Sequence, residues 1–265
     1  MKKYFVMAKN SFMRYSYYRT QSVISIITSV TGIIMMQFFW RALYAETAVV
    51  NDTTLQQMCI YSSVSWVLNL FQCEGIQHEI TDKVKSGDVV LDLLLPYNYV
   101  VGLIFKVIGE NCWILLTRAL PVLAGVVIIL QDTFASVLDI PTIAVFILSA
   151  VLGNILLIFV SFILALMSFN FVEISGLFVL KEIMITVFSG LVIPTWFFPG
   201  ALSIIVNFLP FQYMIQVPLG FLCGRIDASE MGINLLIQIF WITAAVVLTF
   251  FIWRKNTANL ESFGG

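Results

Sequence analysis

The chain has 265 residues, of which 60% are hydrophobic and only 11% are charged, and its formal net charge is −1. About a quarter of the residues in a soluble globular domain are charged, so this composition and a mean hydropathy of +0.97 exclude an ordinary soluble protein. The few charges offer no basic surface for a nucleic acid, and the four cysteines lack metal-ligand or disulfide spacing. We therefore expect a polytopic integral membrane protein.

Residues 1–20 are predicted to form a basic amphipathic helix. At about 100° per residue, one arc of this helix carries Lys2, Lys3, Lys9, Asn10 and Arg14. The opposite arc carries Tyr4, Phe5, Ala8, Phe12 and Tyr15. Such a helix is suited to the inner interface of a membrane. The alternative is a juxtamembrane segment that only sets the topology.

Six apolar runs are long enough to cross a membrane, since about 20 apolar residues span a bilayer core as a helix. The predicted spans are residues 22–44, 55–73, 104–130, 141–168, 174–193 and 232–253. The first run begins too late and is too long for a typical secretory signal, so we expect it to be an uncleaved span.

The positive charges indicate the orientation of these six spans, which place both termini on one side. Ten of the fourteen lysines and arginines then share the side of the termini, and only Arg41 and Arg225 lie on the other. By the positive-inside rule both termini are predicted to be cytoplasmic. The predicted outer segments are short, so function is expected in the membrane and on the cytoplasmic face.

A polar cytoplasmic stretch, residues 75–97, follows the second predicted span. Its polar residues alternate with apolar ones, which predicts a short helix that packs one face and offers the other to a partner. Gly87 is a plausible end for this helix. His78, the one histidine of the chain, is expected at its surface. A solvated loop is the alternative.

Four polar residues in or beside the predicted spans are functional candidates, because ionisable groups in a membrane are costly. They are Arg118, Glu110, Asn154 and Glu173. Arg118 lies well inside the third predicted span, and either Glu110 or a residue of another span, such as Glu173, is its expected partner. A buried pair that fixes helix packing is the first interpretation, and a substrate contact is the second. Asn154 is expected to bond between helices or to line a polar path.

The stretch between Glu182 and Arg225 has no charged residue, yet it contains four of the seven prolines. Proline removes a backbone donor, and irregular backbone at membrane depth needs cover from protein or a water-filled cavity. A seventh full span would place the basic C-terminal residues outside, so a re-entrant hairpin over residues 195–222 is predicted. Its assigned residues are Pro194, Trp196, Phe198, Pro199, Pro210, Phe211 and Pro218. Its aromatic residues either contact an amphipathic substrate or form an interfacial belt.

Two segments together resemble the permease subunits of ABC-2-type exporters, also called type V ABC transporters. HEITDKVKSGDVVLDLLLPYNYVVG is similar to that family's cytoplasmic element between its second and third spans. SGLVIPTWFFPGALSIIVNFLPFQYMIQVPLG is similar to its proline-rich stretch before the last span. The resemblance implies one all-α transmembrane domain over residues 1–265, with six spans. It also implies an N-terminal elbow helix (1–20), a cytoplasmic coupling helix within residues 75–97 and a re-entrant hairpin (195–222).

The resemblance implies a function as well: the permease subunit of an ATP-driven exporter for a hydrophobic or amphipathic drug, lipid or peptide-like compound. A dedicated exporter of a lipid-linked glycan or peptide is the alternative, and a structural membrane protein is a third reading. The implied partners are two ATPase subunits and a second permease, a related one being favoured over an identical one, in the lipids of a bacterial plasma membrane. No G-x-x-x-x-G-K-[ST] phosphate loop occurs, so ATP and Mg are expected on the partner ATPase, with no catalytic, cofactor or metal residue here. Expected ATPase contacts are Glu79, Asp82, Lys83, Lys85, Gly87 and Asp88.

Overall fold

The computed structural model describes residues 1–131, 139–171 and 174–263, which form an all-α protein as predicted. The first helices are α1 (Lys2–Ser16), α2 (Arg19–Leu43), α3 (Leu55–Leu68), α4 (Glu74–Ser86), α5 (Val89–Leu93) and α6 (Tyr99–Ile114). The later ones are α7 (Leu120–Ile129), α8 (Ile140–Leu166), α9 (Ser175–Phe188), α10 (Gly200–Asn207), α11 (Gln216–Leu222) and α12 (Ala228–Phe263). A π-helical stretch, Leu115–Ala119, joins α6 to α7. Two short antiparallel strands, β1 (Val49–Val50) and β2 (Thr53–Thr54), pair Val49 with Thr54 between α2 and α3.

Four helical stretches of the described chain are long and apolar enough to cross a membrane: Arg19–Leu43, Tyr99–Ile129, Ile140–Phe169 and Ser229–Ala258. They correspond to the first, third, fourth and sixth predicted spans. The second and fifth predicted spans coincide with α3 and α9, which have 14 residues each. Helices of that length fall short of the about 20 residues that a bilayer core requires. The structure therefore supports four spans, and the count of six stays a prediction.

Helix α3 is an interior helix of the bundle. A capping box starts it: the Thr54 hydroxyl accepts from the Gln57 backbone N–H, and the Gln57 side chain accepts from the Thr54 N–H. Its residues are buried on every side, including Met58, Ile60 and Tyr61. A helix that is apolar on all faces must be enclosed by others. Accordingly α2, α7 and α11 contact α3 directly.

Helix α1 lies lengthwise along α6. The ring of Tyr4 stacks on Phe105 with centroids 5.4 Å apart, and Phe12 meets Trp113 edge to face at 5.3 Å. At Gly109 a Cβ atom would lie 2.0 Å from the Ala8 carbonyl oxygen, so the two backbones touch there. The predicted apolar arc of α1 therefore packs largely on protein rather than on lipid. The amphipathic pattern identified the arc but not the helix that covers it.

The two ends of the bundle carry different parts of the sequence. At one end, Arg225 lies over the Trp196 ring at 5.8 Å and donates to the Asp52 carbonyl at 3.1 Å. At the other end, the ring of Tyr99, the first residue of α6, stacks on the ring of Trp253 in α12 with centroids 4.7 Å apart. Segments predicted to lie on the outer side of the membrane thus meet at the first end. Segments predicted to be cytoplasmic meet at the second.

Candidate functional site at helix α4

Helix α4 occupies the polar stretch in which a short helix was expected. It ends at Gly87, whose φ of +80° is a left-handed conformation that favours glycine, and the Gly87 N–H donates to the Val84 carbonyl at 3.2 Å. Ile76 and Ile80 are fully buried on one side of the helix. The solvated-loop alternative is therefore wrong, and the helix has one packed face and one open face.

The packed face is tied to α9 through a buried lysine. The ammonium group of Lys181 donates to the Gln77 side-chain oxygen at 2.9 Å, and the Lys181 residue is only 3% exposed. The neighbouring carboxylate of Glu182 lies 3.6 Å from the same ammonium group. A charge so deeply buried is stable only when it is paired and hydrogen-bonded. This contact joins α4 to α9 at a fixed point.

A second tie joins α4 to α1 and α6 through Glu79. Arg14 of α1 donates to one carboxylate oxygen at 2.9 Å, and Lys106 of α6 pairs with the other. Burial raises the pKa of Glu79, but its hydrogen bonds and charge interactions with Lys106 and Arg14 outweigh burial, so its pKa is lowered overall. The carboxylate therefore stays ionised between two cations. Three helices meet at this one side chain.

A third tie joins α4 to α5. The Lys83 ammonium group lies 2.5 Å from an Asp92 carboxylate oxygen and 3.6 Å from Glu79. Burial lowers the pKa of Lys83, but its bond with Asp92 and the charge of Glu79 raise it overall. Two predicted ATPase contacts, Glu79 and Lys83, are thus engaged in ion pairs within the chain. Their alternation with apolar residues suggested an outward position, because this pattern could not show which opposite charges face Glu79 and Lys83.

The open face of α4 carries Glu74, His78 and Asp82, which recur every four residues and are all exposed. Of the other predicted contacts, Lys85, Gly87 and Asp88 are exposed at the end of the helix. Sequence reasoning missed Glu74 as a member of this face, although its spacing of four and eight residues from His78 and Asp82 would have revealed it. We call Glu74, His78 and Asp82 the outer face of α4.

A cavity of about 620 Å³ lies beside α4, between α1, α2, α3 and α6. Both Arg118 and Glu110 line it, yet no ion pair joins them in the described part of the chain. Arg118 lies in the π-helical stretch, where its Nε donates to the Ser22 hydroxyl at 3.1 Å. Arg118 therefore forms no ion pair with Glu110, one of its two expected partners, because its Nε is directed to Ser22 of α2. Glu173 lies outside the described residues.

Asn154 bonds between helices, as its first interpretation predicted. The Asn111 amide of α6 donates to the Asn154 side-chain oxygen at 2.7 Å, and the Asn154 amide approaches the Phe71 carbonyl at 3.4 Å. Both side chains lie partly buried where α8 crosses α6. Asn154 thus fixes the position of α8 next to the segment that leads into α4.

The proline-rich stretch folds into α10 and α11 with short 3-10 turns, and residues 212–223 form an unbroken buried run. We call residues 190–223 the hairpin segment. Neutral side chains satisfy its backbone: Tyr61 donates to the Gly190 carbonyl at 2.7 Å and Gln57 to the Cys223 carbonyl at 2.9 Å. Gln238 of α12 donates to the carbonyls of Tyr213 and Ser149, both at 2.8 Å.

The residues assigned to this hairpin from sequence differ in exposure. Pro194 is buried, Pro218 is buried in the first turn of α11, and Pro199 is exposed. Trp196 packs edge to face on Tyr61 with ring centroids 5.3 Å apart. Phe198, Pro210 and Phe211 are half-buried. The hairpin segment is thus held by protein contacts along most of its length, as irregular backbone in a membrane requires.

The family model for the ABC-2 family transporter proteins matches residues 30–264, which is nearly the whole chain. The match includes α4, the hairpin segment, the last three candidate spans and the second half of the first, Arg19–Leu43. No curated protein and no solved structure matches the chain.

Proposed function

Because the chain belongs to the ABC-2 family of transporter proteins, it is the membrane permease of an ABC transporter, and we propose that this transporter is an exporter. The permease forms the path for a hydrophobic or amphipathic compound, and the driving ATP hydrolysis occurs on separate ATPase subunits. Members of this family normally work with ATPase partners. ATP and Mg bind those partners in our proposal.

The observation that carries this proposal is the two-sided construction of α4. Its packed face is tied to α9 by Lys181 and to α1 and α6 by Glu79. Its outer face is charged, exposed and separate from those ties. A docked ATPase that moves α4 as a rigid body would therefore move three attached helices with it. We propose α4 as the coupling helix on these grounds.

The placement of the basic residues supports the orientation. The end of the bundle that holds α1 and α4 contains Lys3, Arg14 and Lys106, and the opposite end contains Arg41 and Arg225. We propose that the first end is cytoplasmic, following the positive-inside rule, in a bacterial plasma membrane. The hairpin segment then lies near the outer leaflet as a re-entrant element, and α1 serves as the elbow helix.

The assembly that we propose contains two permeases and two ATPases, with a related second permease favoured over an identical one. In that assembly the two α4 helices seat on the two ATPases, one on each. Exposed apolar surface on the spans, such as Phe38 and Phe240, is available to lipid or to the second permease.

Charge reversal on the outer face tests the function. The double variant Glu74→Lys with Asp82→Lys should abolish co-purification of an ABC ATPase from mild detergent, because the changes lie on the face that docks. A matched control reverses two exposed carboxylates at the opposite end, Glu46→Lys with Glu230→Lys, and should leave co-purification intact. If the wild-type chain retains no ATPase at all, the exporter proposal fails.

A further inference from the structure

The cavity beside α4 extends along α2, which is one of the candidate spans. Its wall on α2 is formed by Gln21, Ser25, Thr28 and Ser29, which recur on one face of that helix. At about 1.5 Å per residue, the polar wall from Gln21 to Ser29 extends roughly 12 Å along the span. Polar side chains on a membrane helix normally face protein or a water-filled cavity. The volume of about 620 Å³ is that of a small-molecule site.

Arg118 is a buried charge in this cavity that is only partly hydrogen-bonded. Its residue is 7% exposed, and its Nε bonds to Ser22, but its two terminal nitrogens make no hydrogen bond to any described residue. A guanidinium cannot give up its proton in a protein, so Arg118 stays charged; Glu110, across the cavity, is the acidic residue that interacts with this charge. A π-helical insertion in a helix is often found at a functional position, and here it carries Arg118.

The first turn of α2 adds a second attraction for an anion. It contains no acidic residue, and no side chain caps its free backbone N–H groups. Tyr18 and Gln21, at that end of the helix, line the cavity. The start of a helix has partial positive charge and N–H donors that suit an anionic group. Two independent features, the start of α2 and Arg118, therefore favour the same kind of ligand.

The carboxylates around the cavity do not cancel this preference. Glu79 is neutralised by Arg14 and Lys106, and Glu74 and Asp82 lie exposed at the mouth, where water screens them. Glu110 is 4% exposed, and one of its oxygens has no partner among the described residues. A buried carboxyl group can escape this cost by taking up a proton, whereas a guanidinium cannot lose one. Arg118 therefore keeps its positive charge whatever the state of Glu110.

We propose that this cavity binds the anionic headgroup of an amphipathic substrate, with Arg118 as its main contact and the first turn of α2 as its second. The headgroup is a phosphate, sulfonate or carboxylate. Apolar residues that also line the cavity, Ile24, Leu70 and Ile114, contact the attached hydrocarbon. This inference names a substrate class for the proposed exporter and therefore rests on that function.

Binding of dihexanoyl phosphatidic acid to the purified full-length chain tests the inference, with native mass spectrometry in neutral detergent as the readout. Arg118→Gln should weaken binding about tenfold or more, because charge-assisted hydrogen bonds are lost, and Arg118→Lys should weaken it less. Arg254→Gln, an exposed arginine on α12, is the matched control and should bind as the wild type does. Equal binding by wild type and Arg118→Gln would overturn the proposal.

Two further ligands show which part of the ligand the site recognises. If inorganic phosphate binds and its binding also depends on Arg118, the site recognises the anion alone. If phosphatidic acid binds but inorganic phosphate does not, the hydrocarbon is also needed. Both results support an anion site. Binding of dodecyltrimethylammonium in place of phosphatidic acid would contradict it, because that amphiphile is cationic.

A second variant keeps the test valid if Arg118→Gln does not fold. Gln21→Glu places a carboxylate on the cavity wall at an exposed position in the first turn of α2, where a negative charge stabilises the helix. It should keep the thermal stability of the wild type and lose phosphatidic acid binding. If wild-type chain retains its ATPase but binds no phosphatidic acid, the anion site fails and the proposed function stands. If no ATPase is retained, the proposed function fails whatever the lipid does.

Discussion

The α4 junction and the hairpin segment are both polar constructions in an apolar protein, but they are made in opposite ways. The α4 junction uses ionised side chains: Glu79 between Arg14 and Lys106, and Lys181 against Gln77. The hairpin segment uses neutral side chains of Tyr61, Gln57 and Gln238 that donate to backbone carbonyls. In the described chain, the charged construction lies at one end of the bundle and the neutral construction toward the other.

The difference suggests different mechanical roles. Attraction between ions falls slowly with distance, so ion pairs can persist when α4 shifts by a fraction of an ångström. A hydrogen bond to a buried carbonyl weakens steeply when its angle or length changes, and the unmade bond is costly where no water can replace it. We infer that the α4 junction transmits movement and that the hairpin segment holds a fixed shape.

The largest effect is expected in the hairpin segment. Gln238→Leu removes both donors to the Ser149 and Tyr213 carbonyls and the acceptor of the Ser149 hydroxyl. Each unsatisfied buried group costs on the order of 1 kcal/mol or more, so unfolding free energy should fall by about 2–3 kcal/mol. Thermal unfolding in detergent measures it. Asn234→Ala, which loses only a bond to its own helix, is the control and should change stability by less than about 0.5 kcal/mol.

A smaller loss is expected where α1 supports the α4 junction. Gly109→Ala places a methyl group 2.0 Å from the Ala8 carbonyl oxygen, so the backbones of α1 and α6 must separate. Overpacking of this kind costs about 1–3 kcal/mol. Gly125→Ala is matched to it, because a methyl group there meets nothing within 4 Å. A Gly109→Ala protein as stable as Gly125→Ala would show that α1 does not lie against α6.

The ionised construction is expected to be more tolerant. Glu79→Gln leaves Arg14 and Lys106 without their counter-ion and should cost about 1–2 kcal/mol, since the site is partly open to water. Glu74→Gln, on the outer face of the same helix, should cost less than about 0.5 kcal/mol. A loss in Glu79→Gln that exceeds the loss in Gln238→Leu would reverse the proposed contrast between the two regions.

The stability of the α4 junction should depend on acid pH, and the stability of the hairpin segment should not. The pKa of Glu79 is lowered in the folded protein from its usual value near 4.5. Its contribution is therefore fully present above that value and is lost as the pH falls through the lowered pKa. The Glu79→Gln variant should lack this part of the acid sensitivity, whereas Gln238→Leu should retain it. Unfolding midpoints measured between about pH 6 and pH 3 provide the comparison, and identical pH profiles for wild type and Glu79→Gln would contradict it.

Much of this architecture could be predicted from the sequence, because helix periodicity and composition are local signals. Apolar length identified the four candidate spans, and Gly87 marked the end of α4. The motifs around α4 and the hairpin segment identified the family that the matched model then showed. These predictions needed only residues that are near one another in the chain.

The remaining features depend on contacts between distant residues. Glu79 and Lys106 are 27 residues apart, and Gln238 and Ser149 are 89 residues apart. A helical pattern shows which side chains share a face, but it does not show which helix covers that face. The sequence therefore assigned Glu79 to an outward position, and it left the donors of the hairpin carbonyls unidentified. The bond from Arg118 to Ser22 was missed for the same reason.

Site-specific crosslinking from the outer face of α4 tests the central claim most directly. A photo-crosslinking amino acid in place of Asp82 should join the chain to an ABC ATPase in intact membranes, and the same amino acid in place of Glu46, at the opposite end, should not. Crosslinking at position 82 alone is the result that the coupling role of α4 predicts. Crosslinking from position 46 and none from position 82, with the ATPase bound, would contradict it.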